Sequence, residues 1–143
     1  MRKLLLVLFV GLAVISCDKN QTAVKKLDGK WNTTKATLSD NTGKSLDLIA
    51  LGMKVEWNFT KCKLKDEEFC DYTVTTTLNG DVNSEVGVFK VEGDGTKLVV
   101  ASTKNDPISD YETMTIKELN KDNCILSASD STGTTEFTLE KIK

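Results

Sequence analysis

Residues 70–102, CDYTVTTTLNGDVNSEVGVFKVEGDGTKLVVAS, read as three strands and two turns. From Cys70 to Leu78, the residues Tyr72, Val74 and Leu78 alternate with Asp71, Thr73, Thr75 and Thr77, and a period of two places the sets on opposite faces of an extended strand. Asn79-Gly80-Asp81 and Gly93-Asp94-Gly95 are residue types that accept positive φ, so each reverses the chain within a few residues. Strands at about 70–78, 85–92 and 97–102 therefore follow one another as antiparallel neighbours.

The same pattern extends outward in both directions. Further period-two runs lie at about 31–37, 54–61, 111–119, 124–129 and 135–142, separated by turn residues at 105–107, 120–123 and 130–133. Eighteen threonines supply β-branched side chains with a polar tip, suited to sheets with one wet face. Eight short strands joined mostly by hairpins predict an all-β fold, an eight-stranded antiparallel up-and-down barrel, because closure removes both exposed edges. The one long connection, 38–53, carries Leu46, Leu48, Ile49, Leu51 and Met53 and is expected to form a short helix or lid over one mouth.

Alternation also assigns the interior. Expected to face inward, and to line any ligand space, are Val55, Trp57 and Phe59 on the second strand, and Tyr72 and Val74 on the third. Phe89 and Val91, Leu98 and Val100, Met114 and Ile116, and Phe137 and Leu139 continue the rows around the barrel. Two strands resist the pattern: Val86 and Val88 are out of phase with Phe89, and Ile125 competes with Leu126, so a bulge or a two-sided contact is expected there. Lys61 and Glu112 end inward rows, and no two carboxylates are expected to share an inward face.

The start of the chain reads differently. Met1-Arg2-Lys3 is followed by the apolar run Leu4–Ile15, which is too short to span the roughly 30 Å of a bilayer core and has the form of a secretory signal. Val14-Ile15-Ser16-Cys17 resembles the lipobox of bacterial lipoproteins, in which the cysteine is acylated and becomes the first mature residue. The resemblance implies an exported protein with residues 1–16 as signal peptide, lipidation at Cys17, and anchoring to a bacterial cell membrane. Residues 17–26 are expected to be the lipidated cysteine and a polar tether, with the domain occupying 27–143.

Composition narrows the chemistry. With 143 residues the chain has room for a single core, and it contains no histidine, which removes the commonest general base and zinc ligand. Without Arg2 and Lys3, the 19 basic side chains become 17 against 21 acidic ones, a net charge of −4, so no nucleic-acid partner is expected. Neither a cofactor nor a metal is expected. Asp66-Glu67-Glu68 lacks the alternating ligand spacing of a calcium loop, and catalytic residues are expected to be absent.

An exported domain can keep disulfides. Of Cys62, Cys70 and Cys124, the first two flank seven residues between strand-like runs, so Cys62–Cys70 is the favoured pair. Cys124 falls at the same end of the expected barrel, which leaves Cys62–Cys124 and Cys70–Cys124 open as alternatives.

Gly29-Lys30-Trp31, opening the first strand, is similar to the G-x-W signature of lipocalins. Together with the eight strands it resembles the lipocalin-like domains of bacterial lipoproteins. The resemblance implies that Gly29 and Trp31 plug the closed end of the barrel, with Lys141 standing where the family usually has an arginine. Ser109-Asp110-Tyr111 is similar to a second family motif, T-D-Y, but precedes the sixth strand instead of the seventh. The function expected is a membrane-anchored lipocalin-like lipoprotein binding a small hydrophobic ligand inside the barrel. The alternative is a surface-tethered interaction or inhibitor module whose interior is filled by its own side chains.

Overall fold

The computed structural model describes residues 18–143, so the expected signal segment and Cys17 lie outside the described residues. Its elements are a helix, α1 (Lys19–Leu27), and nine strands. These are β1 (Gly29–Asp40), β2 (Ser45–Asp47), β3 (Lys54–Phe59), β4 (Cys70–Leu78), β5 (Asp81–Glu92), β6 (Lys97–Ala101), β7 (Glu112–Leu119), β8 (Asn123–Ser129) and β9 (Gly133–Lys141). Every neighbouring pair is antiparallel, and β1 pairs with β9 from Trp31↔Lys141 to Asp40↔Gly133, which closes the sheet. The expected eight-stranded barrel is therefore present, with β2 as a short addition along β1.

The long connection is a covering, although not a helical one. β3 pairs with β1 only over Gly29–Asn32, leaving the far half of that edge of β1 uncovered. Residues 45–48 fill the gap: β2 pairs across Thr37–Ser39, Leu48 N–H donates to the Ala36 carbonyl, and the Asp47 carboxylate accepts from the Ala36 N–H. A free strand edge is better satisfied by another strand than by a helix, whose backbone groups bond internally.

The helix lies instead where an extended tether was expected. Asp18 caps it, its carboxylate accepting from the Asn20 and Gln21 N–H groups at 3.0 and 3.1 Å, and Lys25 and Lys26 suit the negative end of the helix dipole. Ala23, Val24 and Leu27 form its single apolar stripe and are buried under the barrel. The polar residues that suggested a tether latch the helix to the closing loops. Asn20 accepts from Gly95 N–H at 2.8 Å, and Gln21 donates to the Cys62 carbonyl at 3.0 Å while accepting from Leu64 N–H at 2.8 Å.

Both irregular strands have identifiable causes. In β5 the inward row is Gly87, Phe89 and Val91, and Val86 faces outward with 73% of its surface exposed, so no bulge is needed. At β8 the irregularity belongs to its neighbour: the pairing passes from Ile116↔Leu126 to Glu118↔Ile125, which makes Lys117 an extra residue in β7. Leu126 consequently faces the core and Ile125 the outside.

Candidate ligand-binding site

The barrel is filled at one end and open at the other. At the closed end Trp31 is fully buried; its indole N–H donates to the Leu27 carbonyl at 2.6 Å, and the Lys141 ammonium lies 5.0 Å from its ring centroid while donating to the Lys26 carbonyl at 2.9 Å. The three residues of the expected plug thus meet: the Cβ position of Gly29, at φ +111°, lies 3.3 Å from Lys141 Cε. Above the plug Phe59, Phe89, Leu98, Leu126 and Leu139 pack without exposure beyond 1%. The expected disulfide joins Cys62 and Cys70 at this end, and Cys124 is a buried free thiol whose pKa burial pushes up to about 12, helped by Glu118.

An aromatic layer separates the two halves. Trp57 stacks on Phe59 at 5.8 Å and on Tyr72 at 6.1 Å between centroids, and meets the edge relation of Phe137 at 5.8 Å. Phe59 in turn contacts Phe89 edge-on at 5.1 Å. Such offset and edge geometries suit the charge distribution of the rings and leave little lateral freedom. Trp57 is 5% exposed, and among the described residues its indole N–H is buried without an acceptor.

Beyond this layer the inward rows shrink. Phe89 is followed toward the mouth by Gly87 and Glu85, Leu126 by Ala128 and Asp130, and Leu139 by Phe137, Thr135 and Gly133. Diminishing side-chain volume in a barrel of fixed circumference leaves space, and here it is an open cavity of about 940 Å³. That is at the upper end of the usual size for small-molecule sites.

Of the thirteen expected lining residues, Val55, Trp57, Val74, Met114 and Phe137 line the cavity. Phe59, Phe89, Val91, Leu98, Ile116 and Leu139 instead belong to the packed half, as does Val100, and Tyr72 is half-buried in the aromatic layer. Alternation reports which side of the sheet a residue faces and says nothing of its height along the barrel axis. Leu48 and Met53 of the covering segment do reach the cavity, whereas Leu51, 61% exposed, does not.

The lining also corrects the expectation about carboxylates. Asp40, Glu85, Glu112 and Asp130 all border this one cavity, and no lysine or arginine does. Asp40 and Asp130 are held by their own turns: Asp40 accepts from the Thr42 hydroxyl at 2.6 Å and the Lys44 N–H at 3.0 Å, and Asp130 from the Thr132 hydroxyl at 2.6 Å. These bonds keep both carboxyls below the ordinary carboxylate value. Burial raises the Tyr72 pKa, and the negative charges of Glu112 and then Glu85 raise it further, so both glutamates act on the same part of the interior. Glu112 was visible as the end of an inward row; Glu85 could have been found by extending the Phe89 row through Gly87.

No family model matches the chain, and no curated protein matches it. Solved structures do. A lipocalin-like protein from Bacteroides uniformis ATCC 8492 superposes with a TM-score of 0.54 at 18% identity, over 82% of this chain and 99% of that one. The fold is that of a lipocalin-like barrel. Ex-FABP, a siderocalin that functions through dual ligand specificities, gives a TM-score of 0.55 at 11% identity, over 82% and 74% of the two chains. As-p18, an extracellular fatty acid binding protein, gives 0.50 at 15% identity, over 82% and 97%. In the lipocalin-like barrel described here, the G-x-W tryptophan is Trp31, and Ser109-Asp110-Tyr111 ends a short 3-10 turn leading into β7.

Proposed function

We propose that the protein is an exported lipoprotein, anchored to a bacterial membrane through Cys17, that holds a small apolar ligand in the open half of its barrel. The cavity over the Trp57 floor carries this reading, because an unfilled space walled by Val55, Val74, Met114 and Phe137 is the feature a packed interior would lack. Ligand holding, not catalysis, is the role that fits an apolar floor beneath exposed rim carboxylates, two of them engaged in their own turns.

The anchor and the fold combine into a geometry. Only Asp18 separates Cys17 from α1, and α1 is latched beneath the barrel. An acyl group on Cys17 would therefore rest the closed end against the membrane and turn the mouth away from it. Labelling with radioactive palmitate should be abolished by Cys17→Ser, and unchanged labelling would remove the anchor from the proposal. For the cavity, a neutral naphthylamine dye should gain fluorescence saturably. Trp57→Ala should weaken that binding about fivefold or more by removing buried contact area; an absence of saturable binding in the folded protein would overturn the ligand-holding role.

One observation favours the interaction-module reading as a second possibility. Residues 81–87 of β5 pair with β4 alone, and Val82 and Val86 on that hairpin are 67% and 73% exposed, a combination that invites an added strand. A specific protein partner lost on Val86→Lys would support it.

A further inference from the structure

The open half of the barrel has a charge as well as a shape. Around the cavity stand four carboxylates, Asp40 on β1, Glu85 on β5, Glu112 on β7 and Asp130 after β8, and the lining contains no cationic side chain to balance them. Among the described residues none of the four is ion-paired: the salt bridges of the barrel are made by Lys19, Lys30, Lys90 and Lys117 with other acids. The connections at this end, 41–53, 79–80, 102–111 and 130–132, add Asp47, Asp106 and Asp110 against Lys44 and Lys104. Asp40 and Asp130 are fixed in place by their turns, so their negative charge is part of the rigid rim.

Apolar surface lies below and negative charge above. A fatty carboxylate seated with its chain on Trp57 would bring its own charge to the level of the rim, among four like charges with no cation to receive it. An ammonium group there would be attracted by all four, and this attraction requires no direct ion pair because a low-dielectric wall lets charges act over several ångströms. The floor adds no competing cation: Trp57 is 5% exposed and its indole nitrogen is itself buried.

We infer that the cavity selects a cationic amphiphile, an apolar body bearing a protonated amine or quaternary ammonium group, over a fatty acid of the same size. The inference rests on the ligand-holding role proposed above and names the chemical class of its ligand. Tyr72 reports the same field, since Glu112 and Glu85 both disfavour its phenolate.

The test compares three ligands with one apolar body, decylamine, decanol and decanoate, titrated into the folded full chain by calorimetry at neutral pH. Decylamine should bind about tenfold or more tighter than decanoate, with decanol between, as expected for several partly screened charges of one sign. The preference should shrink at least threefold in the Glu85→Gln/Glu112→Gln double variant, whose two sites are exposed and whose fold is checked by circular dichroism. It should shrink likewise in about 1 M salt, where the screening length falls to about 3 Å. Decanoate binding as tightly as decylamine would overturn the inference while leaving the ligand-holding role intact. A preference surviving both the double substitution and high salt would overturn it too. Failure of all three ligands to bind would overturn both.

Discussion

Tyr72 lies across Gly87 so closely that a Cβ at residue 87 would stand 2.6 Å from Tyr72 Cε1 and 2.7 Å from the Ala101 carbonyl oxygen. The glycine thus gives the ring its place beside Trp57 and Phe89. Neither neighbour can give way cheaply, one being backbone and the other part of the aromatic layer. Gly87→Ala should destabilise the fold by about 1–3 kcal/mol in urea unfolding. It should also change the near-ultraviolet circular dichroism of the layer and weaken dye binding, because the ring it disturbs is stacked on Trp57 of the cavity floor.

At the closed end, Lys141→Met keeps the aliphatic stem over Trp31 but removes the ammonium that faces the ring and bonds the Lys26 carbonyl. Loss of the ring contact and of one hydrogen bond should cost about 1–2 kcal/mol. Lys141→Arg should match or exceed the original stability, since a guanidinium can stack on the indole. Equal unfolding midpoints for the lysine and methionine proteins would show that the ammonium adds nothing to the plug.

The cysteines should separate cleanly by chemistry. Non-reducing peptide maps are expected to join Cys62 to Cys70 and leave Cys124 unlinked. With burial pushing its pKa up to about 12, Cys124 should resist iodoacetamide at pH 8 in the native protein and react once it is unfolded. Replacing Cys62 and Cys70 by serine should cost about 2–3 kcal/mol, the loop-closure contribution of so short a ring.

Acid should loosen the mouth first. Hydrogen bonds from Thr132 to Asp130, and from Thr42 to Asp40, lower both folded-state pKa values below the ordinary 3.8. A lowered value means stabilisation that is present above pH 3.8 and lost as the pH falls through the folded-state value. Amide exchange at Thr132, Gly133 and Lys44, corrected for intrinsic rates, should therefore accelerate in that window. Asp130→Ala should remove the pH dependence at Thr132 and Gly133 while leaving that at Lys44.

Local pattern made much of this readable in advance. Period two located all eight barrel strands, and the placement of Cys62 and Cys70 on either side of a short loop favoured their pairing. It misled at α1, where Asn20 and Gln21 look like linker residues until their partners, Gly95, Cys62 and Leu64, are brought within reach by the rest of the fold. The eight interior residues outside the cavity were assigned to the correct side of the wall but to no particular height, and Glu85 went unnoticed because its row is interrupted by Gly87.

The chain by itself determined the strands, the antiparallel order and the inward sets, because side-chain alternation and turn chemistry act between near neighbours. Only the tertiary structure decided where packing stops and the cavity begins. That boundary depends on how far each strand is staggered against the next, which sets Phe137 opposite Leu126 and Thr135 opposite Ala128. It also decided that Asp40, Glu85, Glu112 and Asp130, as many as ninety residues apart, border one space. Charges so distant in sequence share a field only after the closing of the sheet has brought them around one mouth.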